Sequence, residues 1–352
     1  MSRGSREPID AASQIRYELG MASLKRIAAE LGISYSLVSK VLSGRLGTTG
    51  VSTKTREAIL KKAKDLDYVP NRLAVALKAG RKGAVGVFLH QAGSPGSNLT
   101  ERLLRGLSEG LDAASIRMWL RFFQTDEEFI AACDDRLKSE VDGLIVAGVG
   151  HPTLKSSLAR IERGGVPVVA FFSGNPEVSH VSVNYQSHGY LAARHLLERG
   201  CRKLACFRTL ADRTAGFMRA HREAGLRVDA RLMVDARDFL LEDGRKCIEE
   251  LLARGRVFDG IVCQSDTQAV GAINVLVQRG IRVPEEVKVT GVDNSPAASD
   301  CIIPVTSVTS EMQRAGRQAV EMLLEKIEGR SRRRVILEPR VVVRASTGET
   351  AP

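Results

Sequence analysis

The sequence predicts an α/β protein in which a small three-helix head precedes a larger body of two lobes, each built on a doubly wound parallel sheet. Three observations predict this class. Apolar residues recur at helical spacing in residues 23–68, and from residue 84 onward short apolar runs alternate with helical stretches. Positive charge is concentrated in the first part of the chain. The 352 residues are enough for two or three domains with substantial cores.

Composition narrows the class of protein. A hydrophobic content of 43% and a charged content of 26% are ordinary for a soluble globular protein. The sequence contains no run of about 18 apolar residues, so it predicts no membrane span. Residues 1–20 lack the apolar segment of a secretory signal. Six cysteines stand without a CxxC pair, which favours reduced thiols in a cytosolic protein. We therefore expect a cytoplasmic protein that contacts no membrane.

The charge of the chain is unevenly placed. Residues 1–82 carry sixteen lysines and arginines against seven acidic residues, whereas the remaining residues carry 36 against 34. A basic head on a nearly neutral body indicates a module that binds a polyanion, although a merely solvated basic surface has the same composition.

The head reads as three short helices. Ser23 is placed to cap the first, "LKRIAAEL", whose apolar residues share one face, and Gly32 ends it. Ser34 caps the second helix, whose apolar side is expected to face the first. Ser52 caps a third, basic amphipathic helix. This helix is expected to end before Pro70, because the residue before a proline avoids the α region. The second helix is expected to leave four polar side chains outside: Tyr35, Ser36, Ser39 and Lys40.

A helix, a glycine-containing turn and a second helix with outward polar groups are typical of a DNA-reading helix-turn-helix. A major groove accepts one helix, and short hydroxyl, phenol and ammonium groups reach base edges or phosphates there. The basic third helix would add an attraction to phosphates that does not depend on sequence. Three-helix units also occur for purely structural reasons, so the pattern by itself leaves both interpretations open.

From residue 84 the chain alternates strands and helices. Continuous apolar strands separated by helices are typical of parallel sheets covered on both faces, and their number predicts two lobes. The predicted strands are "AVGVFLH", "VDGLIVAG", "PVVAFFS", "KLACFRT", "FDGIVCQSD" and "VKVTGVD". The predicted helices span about 99–115, 126–138, 186–199, 213–224, 241–254 and 267–279.

Specific motifs extend these predictions. The segment "SLKRIAAELGISYSLVSKVLSG", followed by "VSTKTR" and "LDYVPN", resembles the N-terminal domain of the LacI/GalR family of transcriptional regulators, which includes the lactose and purine repressors. The resemblance continues through the α/β region to about residue 346. It implies a homodimer that binds a pseudo-palindromic operator in double-stranded DNA, most often as a repressor, and that responds to a small-molecule effector held in the body.

The resemblance also implies domain boundaries. Residues 1–20 form an N-terminal arm or precede a true start at Met21, 21–69 form the DNA-binding domain, 70–82 a hinge, and 347–352 a tail. The body, 83–346, is built like the periplasmic sugar-binding proteins. Its first lobe takes 83–182 with about 310–332, and its second takes 183–309 with about 333–346. The tail has no heptad leucines, so a dimer rather than a tetramer is expected.

Positions of the family's motif carry roles over to the head and hinge as expectations. Tyr35, Ser36 and Lys40 correspond to base-reading positions, with Ser36 where relatives carry a longer amide. Leu77 corresponds to the hinge leucine that the family wedges into a minor-groove step, which kinks the duplex. Phosphate contacts and hinge neighbours complete the predicted DNA-binding set: Ser23, Leu24, Ser34, Ser39, Asn71 and Ala74.

In the body, the resemblance implies an effector cleft at the strand ends of the two lobes. "DRTAGF" makes Arg213 the cleft arginine, "GVDNS" makes Asp293 the cleft acid, and "DFLLEDG" places Phe239 at an aromatic platform. Ser265 stands where sugar-responsive relatives often carry asparagine. The adjacent Asp266 is interpreted as a helix cap.

Phe172 is the main departure from the family's pattern in the cleft. It stands after "VPVV", where sugar- and purine-binding relatives place an aspartate. A carboxylate would accept hydrogen bonds from ligand hydroxyls, whereas a phenyl ring favours stacking or an apolar ligand face. The usual hexose pocket is therefore not expected, and the effector stays open.

Other functions are disfavoured by motifs that the sequence lacks. It contains no G-x-S-x-G, G-x-x-x-x-G-K-[ST] or H-E-x-x-H motif, so no enzyme, cofactor or metal site is predicted. His188 and His195, seven apart on one helix, are expected at a solvated surface. A transport-type binding protein does not explain the basic head. A DNA-binding regulator with a vestigial cleft and no effector remains the alternative, and the operator and the sign of the ligand response stay open.

Overall fold

The structure is a computed structural model of the chain, and it describes residues 24–42, 50–68, 80–90, 97–148, 152–171, 178–255, 257–330 and 334–348. The chain divides into two compact units, residues 1–83 and 84–352, which are called the head and the body below. None of the helices in the described ranges combines the length and apolar character that a bilayer span requires.

The described part of the head packs three helices around a small apolar core. Residues 24–31 are helical (α1), and α2 (Tyr35–Leu42) and α3 (Thr53–Asp65) follow. Gly32 adopts a left-handed conformation with a φ of 65°, and the amide of Ile33 then donates to the carbonyl of Ala28 at 3.0 Å, which turns Ile33 back onto the core. The fully buried members of this core come from all three helices: Ile27, Ala28, Val38, Val41, Ile59 and Ala63.

The third helix begins as predicted but ends earlier. Ser52 caps it, since its Oγ accepts a hydrogen bond from the amide of Thr55 at 3.1 Å. The helix ends at Asp65, because Asp67 takes a φ of 46° and the amide of Tyr68 donates to the carbonyl of Ala63 at 2.8 Å. A local turn, rather than the proline further on, therefore ends this helix.

The first lobe of the body is built on a parallel sheet. Its strands in the described residues are β1 (Ala84–His90), β2 (Arg117–Phe123), β3 (Gly143–Gly148), β4 (Val168–Ala170), β5 (Ser179–Val183) and β11 (Arg334–Leu337). They lie in the order β11-β5-β4-β3-β1-β2, and all neighbours pair in parallel. The strands β1, β3 and β4 are buried and apolar, as expected for a sheet covered on both faces.

The second lobe repeats this plan. Its strands in the described residues are β6 (Leu204–Arg208), β7 (Met233–Asp235), β8 (Gly260–Val262), β9 (Lys288–Asp293), β10 (Thr306–Thr309) and β12 (Val341–Val342). They lie in the order β12-β10-β9-β8-β6-β7, with β12 antiparallel to β10 and the other neighbours parallel.

Helices cover both faces of each sheet, so that every lobe has two apolar cores. In the described part of the first lobe they are α4 (Leu99–Ala113), α5 (Asp126–Ala132), α6 (Leu137–Glu140), α7 (Pro152–Arg163) and α13 (Met312–Ile327). In the second lobe they are α8 (Tyr185–Glu198), α9 (Ala211–Glu223), α10 (Leu241–Ala253), α11 (Asp266–Gln278) and α12 (Pro296–Ser299). This is the doubly wound α/β arrangement that the sequence predicts.

Two predicted assignments in the body are wrong. The expected helix over 126–138 is split into α5 and α6, because the Asp134 carboxylate accepts the amide of Arg136 at 2.8 Å and forms a turn in place of a helical bond. Residues 334–337 were expected in the second lobe, but β11 pairs with β5 and covers an edge of the first sheet. The chain returns to the second sheet only at β12.

Candidate functional site

The helix α2 has two different sides. Val38 and Val41 lie in the apolar core of the head. The polar side faces outward: Ser34, Tyr35 and Ser36 are exposed, and Ser39 and Lys40 are half-buried. The polar residues that the sequence assigns to DNA reading therefore share one accessible side of a single helix, held in place by the apolar side.

Ser34 fixes the start of this helix. Its Oγ accepts the amide of Leu37 at 3.1 Å, which is the predicted cap. The first turn of a helix carries backbone amides without intrahelical partners, and its dipole favours negative charge. The start of α2 thus has the chemistry that a DNA phosphate requires.

Basic residues on α3 extend the positive surface of the head. Lys62 pairs with Glu30, which also binds Arg26 with an Nε to Oε1 distance of 2.7 Å. Other basic side chains of the helix are exposed: Lys54, Arg56, Lys61 and Lys64. Exposed cations of this kind attract a polyanion without reading its sequence.

The remaining predicted DNA contacts are placed less directly. Leu24 is half-buried and packs against the core of the head. Ser23, Asn71, Ala74 and Leu77 lie outside the described residues.

Arg213 and Asp293 come together at the strand ends of the second lobe. Arg213 lies in α9 and Asp293 ends β9, with 3.7 Å between Nη2 and Oδ1. Only 6% of Arg213 and 4% of Asp293 is exposed, and the guanidinium carbon lies 5.4 Å from the centre of the Phe239 ring. The three residues that the motifs assign to the cleft therefore lie beside one another.

Two buried atoms of this cluster have no hydrogen-bond partner in the described part of the chain. They are Nε of Arg213, a donor, and Oδ1 of Asp293, an acceptor. Buried polar groups nearly always find a partner, because leaving one without costs about 1–3 kcal/mol. A ligand that offers an acceptor and a donor would satisfy both atoms.

Close helix packing holds Arg213 in position. A Cβ added to Gly189 of α8 would lie 1.8 Å from the carbonyl oxygen of Arg213. A Cβ added to Gly216 of α9 would lie 1.9 Å from the carbonyl oxygen of Gln186. The two helices approach at distances that only glycine permits, so the backbone that carries the arginine is fixed against α8.

Two buried glutamines, which no sequence motif identified, hydrogen-bond to Arg213 and to the segment that carries Phe239. The main-chain carbonyl of Gln264 accepts from Nη1 of Arg213, and its side-chain Oε1 accepts the amide of Leu210 at 2.7 Å. Nε2 of Gln268 donates to the carbonyl of Asp238 at 2.7 Å, immediately before the cleft phenylalanine. Neutral amides belong to no motif of charged or nucleophilic groups, so the sequence gives no signal for them.

Asp266 has a role that differs from the prediction, and Ser265 has the role that was predicted for Asp266. The Ser265 hydroxyl donates to the carbonyl of Phe239 at 2.7 Å and accepts the amide of Gln268 at 3.0 Å, so Ser265 is the cap of α11. The expectation that Asp266 is this cap is wrong. Asp266 instead accepts the amide of Ser295 at 2.7 Å and holds the segment after β9. Ser265 is only 1% exposed and positions Phe239 through its carbonyl.

The segment after β9 also joins the two lobes. Asp293 and Asn294 have φ values of 109° and 50°, in a region that favours glycine. Arg102, from α4 of the first lobe, donates through Nη1 to the carbonyl of Asp293 at 3.2 Å and through Nη2 to that of Asn294. The turn that carries the cleft carboxylate is therefore held by a side chain of the other lobe.

Burial changes the protonation of the cleft. It raises the pKa of the Asp293 carboxyl, against the lowering effect of Arg213 and together with repulsion from Asp266. It raises the pKa of Asp266 as well, which the hydrogen bonds to that carboxylate partly offset. It lowers the pKa of His188 well below the usual range, and the positive charge of Arg213 lowers it further. Charge on these groups is therefore costly in the absence of a ligand.

The first lobe contributes a buried histidine that the sequence analysis missed. His90, at the end of β1, lies with Nε2 2.7 Å from Oδ1 of Asp126 and with Nδ1 3.0 Å from the carbonyl oxygen of Phe123. Its partners are 36 and 33 residues further along, so no local motif joins them. Phe172, the predicted first-lobe cleft residue, lies outside the described residues.

The expected position of two other histidines is wrong. His188 and His195 are buried rather than solvated: Nε2 of His188 lies 3.1 Å from the carbonyl oxygen of Thr309, and Nε2 of His195 lies 2.9 Å from Oγ1 of Thr347. Within the described ranges, no cluster of three or more histidine, cysteine or acidic side chains could hold a metal ion. The six cysteines are free thiols, and all but Cys301 are buried.

Two segments of the chain match known protein families. The model described as bacterial regulatory proteins, lacI family, matches residues 23–71, which include α2. The periplasmic binding protein-like domain matches residues 193–347, which include Arg213, Phe239 and Asp293. The chain belongs to the lacI family of bacterial regulatory proteins. As a lacI-family member it is a DNA-binding transcriptional regulator, and its body contains a periplasmic binding protein-like domain.

Relatives of this lacI-family chain match it along nearly their full length. It is 28% identical over 339 residues to the HTH-type transcriptional repressor PurR of Pasteurella multocida (strain Pm70), covering 93% of this chain and 98% of the relative. It is 29% identical over 342 residues to PurR of Haemophilus influenzae (strain PittEE), with the same coverage. The order of head and body along the chain therefore agrees with that of whole repressors.

Solved structures agree with this lacI-family assignment. The complex of the transcriptional regulator CelR with cellobiose is 27% identical, has a TM-score of 0.66, and is matched over 92% of this chain and 99% of that chain. The lac repressor dimer bound to operator and the anti-inducer ONPF is 21% identical, with a TM-score of 0.67 over 91% and 97% of the two chains. The second likeness is one of fold.

Proposed function

We propose that this lacI-family regulator is a homodimeric repressor that acts in the cytoplasm and whose affinity for a pseudo-palindromic operator is controlled by a small molecule bound between the two lobes of the body. One observation carries the proposal. A capped helix, α2, exposes Tyr35, Ser36 and its other polar residues while Val38 and Val41 anchor it in the head. A helix presented in this way fits a major groove.

DNA reading is tested by the difference between specific and random duplexes. An operator selected from a random library should bind far more tightly than a random duplex of equal length, because α2 contacts base edges. Affinity for both duplexes should fall as salt is raised, since the exposed lysines and arginine of α3 displace counterions from phosphates. Fluorescence anisotropy measures both effects. Equal affinity for the two duplexes would refute sequence-specific reading.

The effector proposal rests on the buried cluster of Arg213, Phe239 and Asp293. It has a donor and an acceptor without hydrogen-bond partners among the described residues, beside an aromatic ring, which suits a polar metabolite with an apolar face. Thermal unfolding should be measured against a panel of sugars and other metabolites. The panel should include cellobiose, the ligand in the complex of the related CelR.

A ligand that binds only the folded state stabilises it by an amount that grows with the logarithm of ligand concentration above Kd, so a true effector raises the melting temperature. Asp293→Ala should abolish that increase and leave operator affinity without ligand unchanged. If no compound in a broad panel shifts the parent protein, the vestigial-cleft alternative is favoured.

The edge strand β2 supports the homodimer. It carries the apolar side chains Leu120 and Phe122, which are 38% and 61% exposed. An exposed apolar edge strand is a surface that proteins normally cover. Leu120→Asp with Phe122→Asp should shift sedimentation from dimer toward monomer, whereas Met218→Asp, on an exposed position of α9, should not. If both variants sediment as the parent does, the dimer interface lies on another surface.

The family resemblance supports a coupling role for Leu77. In the proposed mechanism two hinge segments pair over the operator centre, and effector binding between the lobes changes their separation and therefore their stability on DNA. Leu77→Ala should weaken operator binding and bending strongly and leave ligand affinity without DNA nearly unchanged. A Leu77→Ala protein that binds and bends operator as the parent does would reduce residues 70–82 to a linker.

A further inference from the structure

A polar pocket beside the effector cleft has no assigned role. It has a volume of about 460 Å³ and lies in the body between α4 and α13, next to the turn at Asn294. Five arginines line it: Arg102, Arg105, Arg314, Arg317 and Arg340. We propose that this pocket is a second ligand site, separate from the effector cleft, that takes a compact and multiply charged small anion such as a phosphate ester or a polycarboxylate.

The charges of the pocket are only partly balanced. Arg105 pairs with Glu101, with 3.1 Å between Nη2 and Oε1, and Arg317 pairs with Glu109 at 2.6 Å. Arg102 donates to the main-chain carbonyls of Asp293 and Asn294, and Arg314 and Arg340 have no carboxylate partner in the described residues. A single further acid, Glu311, lines the pocket and accepts a hydrogen bond from Oγ1 of Thr309 at 2.7 Å. The pocket therefore keeps an excess of guanidinium donors.

Two of these arginines are free to bind a ligand. The guanidinium groups of Arg314 and Arg340 make no hydrogen bond or ion pair within the described part of the chain, and both side chains are exposed. The backbone of Arg340 is nevertheless fixed, because its amide donates to Oγ1 of Thr309 at 3.0 Å. Guanidinium groups bind phosphate and carboxylate oxygens through two parallel hydrogen bonds, which suits an anion with several oxygens.

The ends of the two helices add to this preference. Both α4 and α13 begin at the pocket, and their cap residues, Asn98 and Glu311, have φ values of 53° and 54° and make no side-chain cap bond. The first turn of α13 contains Arg314 and no acidic residue. A helix start favours negative charge, so the two helix starts add to the attraction that the arginines exert on an anion.

The size of the pocket indicates the class of ligand. A volume of about 460 Å³ lies in the range of small-molecule sites and is enough for a metabolite that carries one or two anionic groups. A polyanionic strand would need a long stripe of positive charge. The arginines instead surround a single pocket. A small anion is therefore the occupant that fits.

Arg102 connects this pocket with the effector cleft. Its guanidinium lines the pocket and at the same time donates to the carbonyls of Asp293 and Asn294. An anion that binds Arg102 would change its hold on the turn that carries the cleft carboxylate. Because coupling between two sites is reciprocal, the anion should change effector affinity by the same factor by which effector changes anion affinity.

The test uses the full chain without DNA or effector, and inorganic phosphate as the probe. Isothermal titration at constant ionic strength should show binding to the parent protein. Arg314→Gln with Arg340→Gln should weaken it by about tenfold or more, because two charge-assisted contacts are lost. Arg222→Gln with Arg279→Gln makes the same charge change at exposed positions of the second lobe and is the matched control. The head, which also attracts phosphate, is identical in all three proteins.

A parallel titration with citrate separates the two sources of the anion. Stronger binding of phosphate than of citrate, lost in the Arg314 and Arg340 variant, assigns the pocket to phosphorylated metabolites, and the reverse order assigns it to polycarboxylates. The proposal is overturned if the two double variants bind both anions equally, or if the parent binds neither. Neither result depends on whether the protein represses transcription, so failure here is distinct from failure of the proposed function.

Discussion

The head and the body hold their functional polar groups in opposite ways. On α2, Ser36 and Tyr35 are exposed to water above a small apolar core. In the second lobe, Arg213 and Asp293 are almost fully buried and two of their polar atoms have no hydrogen-bond partner among the described residues. The head therefore keeps its polar groups solvated until DNA arrives, whereas the body has already removed its polar groups from water.

This difference predicts that substitutions affect binding and folding stability differently in the head and in the body. An exposed polar side chain contributes little to folding, so the head can present several of them on a small core. A buried charge requires a partner and a fixed environment, which in the body is supplied by Gln264, Gln268 and Ser265. Substitutions in the head should therefore change binding more than stability, and substitutions in the cleft should change both.

The largest effect is expected at the buried ion pair. Arg213→Ala should lower the free energy of unfolding of the body by about 3 kcal/mol or more, because it leaves Asp293 buried without its cation. Arg219→Ala is the control, since it lies on the same helix and forms an exposed pair with Glu223. Urea unfolding measures both. Equal losses in the two variants would mean that the burial of Arg213 has no energetic consequence.

A matched pair of serine caps gives the next effect. Ser265→Ala should cost about 2 kcal/mol in the body, because it removes a buried cap and one of the two hydroxyl donors to the carbonyl of Phe239. Ser34→Ala removes an exposed cap in the head and should cost about 1 kcal/mol. Thermal unfolding followed by circular dichroism measures the two costs. A larger loss for Ser34→Ala would reverse the comparison.

Lys40→Ala should change DNA binding without changing the fold. We expect a loss of about 1–3 kcal/mol in operator affinity and a relaxed preference at one position of each half-site. Stability should stay within about 0.5 kcal/mol of the parent. Lys61→Ala, at an exposed position of α3, is the control for a general loss of charge. If Lys40→Ala weakens every duplex by the same factor, Lys40 contacts phosphate and not bases.

The smallest effect is a pH dependence of the body. Burial raises the pKa of Asp293 above that of the unfolded chain, so its contribution to stability is fully present below about pH 4 and is lost as pH rises through the folded-state pKa. Asp293→Asn removes this loss. The stability difference between Asp293→Asn and the parent should therefore increase from about pH 4 toward neutral pH in urea unfolding. His188, whose pKa is lowered, has the opposite dependence but is present in both proteins. A difference that does not change with pH would contradict the burial effect.

Much of the fold could be predicted because its signals are local. The strand β1 and the helices α4, α8 and α10 begin within one residue of their predicted positions, since continuous apolar runs and helical periodicity mark them. The strand β2 escaped prediction because Arg117 and Arg121 interrupt its apolar residues at an exposed edge. The pairing of β11 with β5 joins segments about 150 residues apart, which no local pattern specifies.

The site divides in the same way. Motifs identified Arg213, Phe239 and Asp293, which carry charge or an aromatic ring at a fixed spacing. They missed Arg102, because it acts through main-chain carbonyls of the other lobe. Ser265 stands where sugar-responsive relatives often carry asparagine, and the motif gave no sign that its hydroxyl caps α11 and donates to the carbonyl of Phe239.

The interlocked glycines of α8 and α9 limit the routes by which this cleft can acquire a new ligand during evolution. With Gly189 facing the carbonyl of Arg213 and Gly216 facing that of Gln186, any side chain at either position would push the helices apart and displace the arginine. Random variation in these helices is therefore expected to destroy binding before it alters specificity. Phe239 lies on a connecting segment held mainly by side-chain hydrogen bonds, so replacements there can accumulate one at a time and explore new ligands without unfolding the lobe.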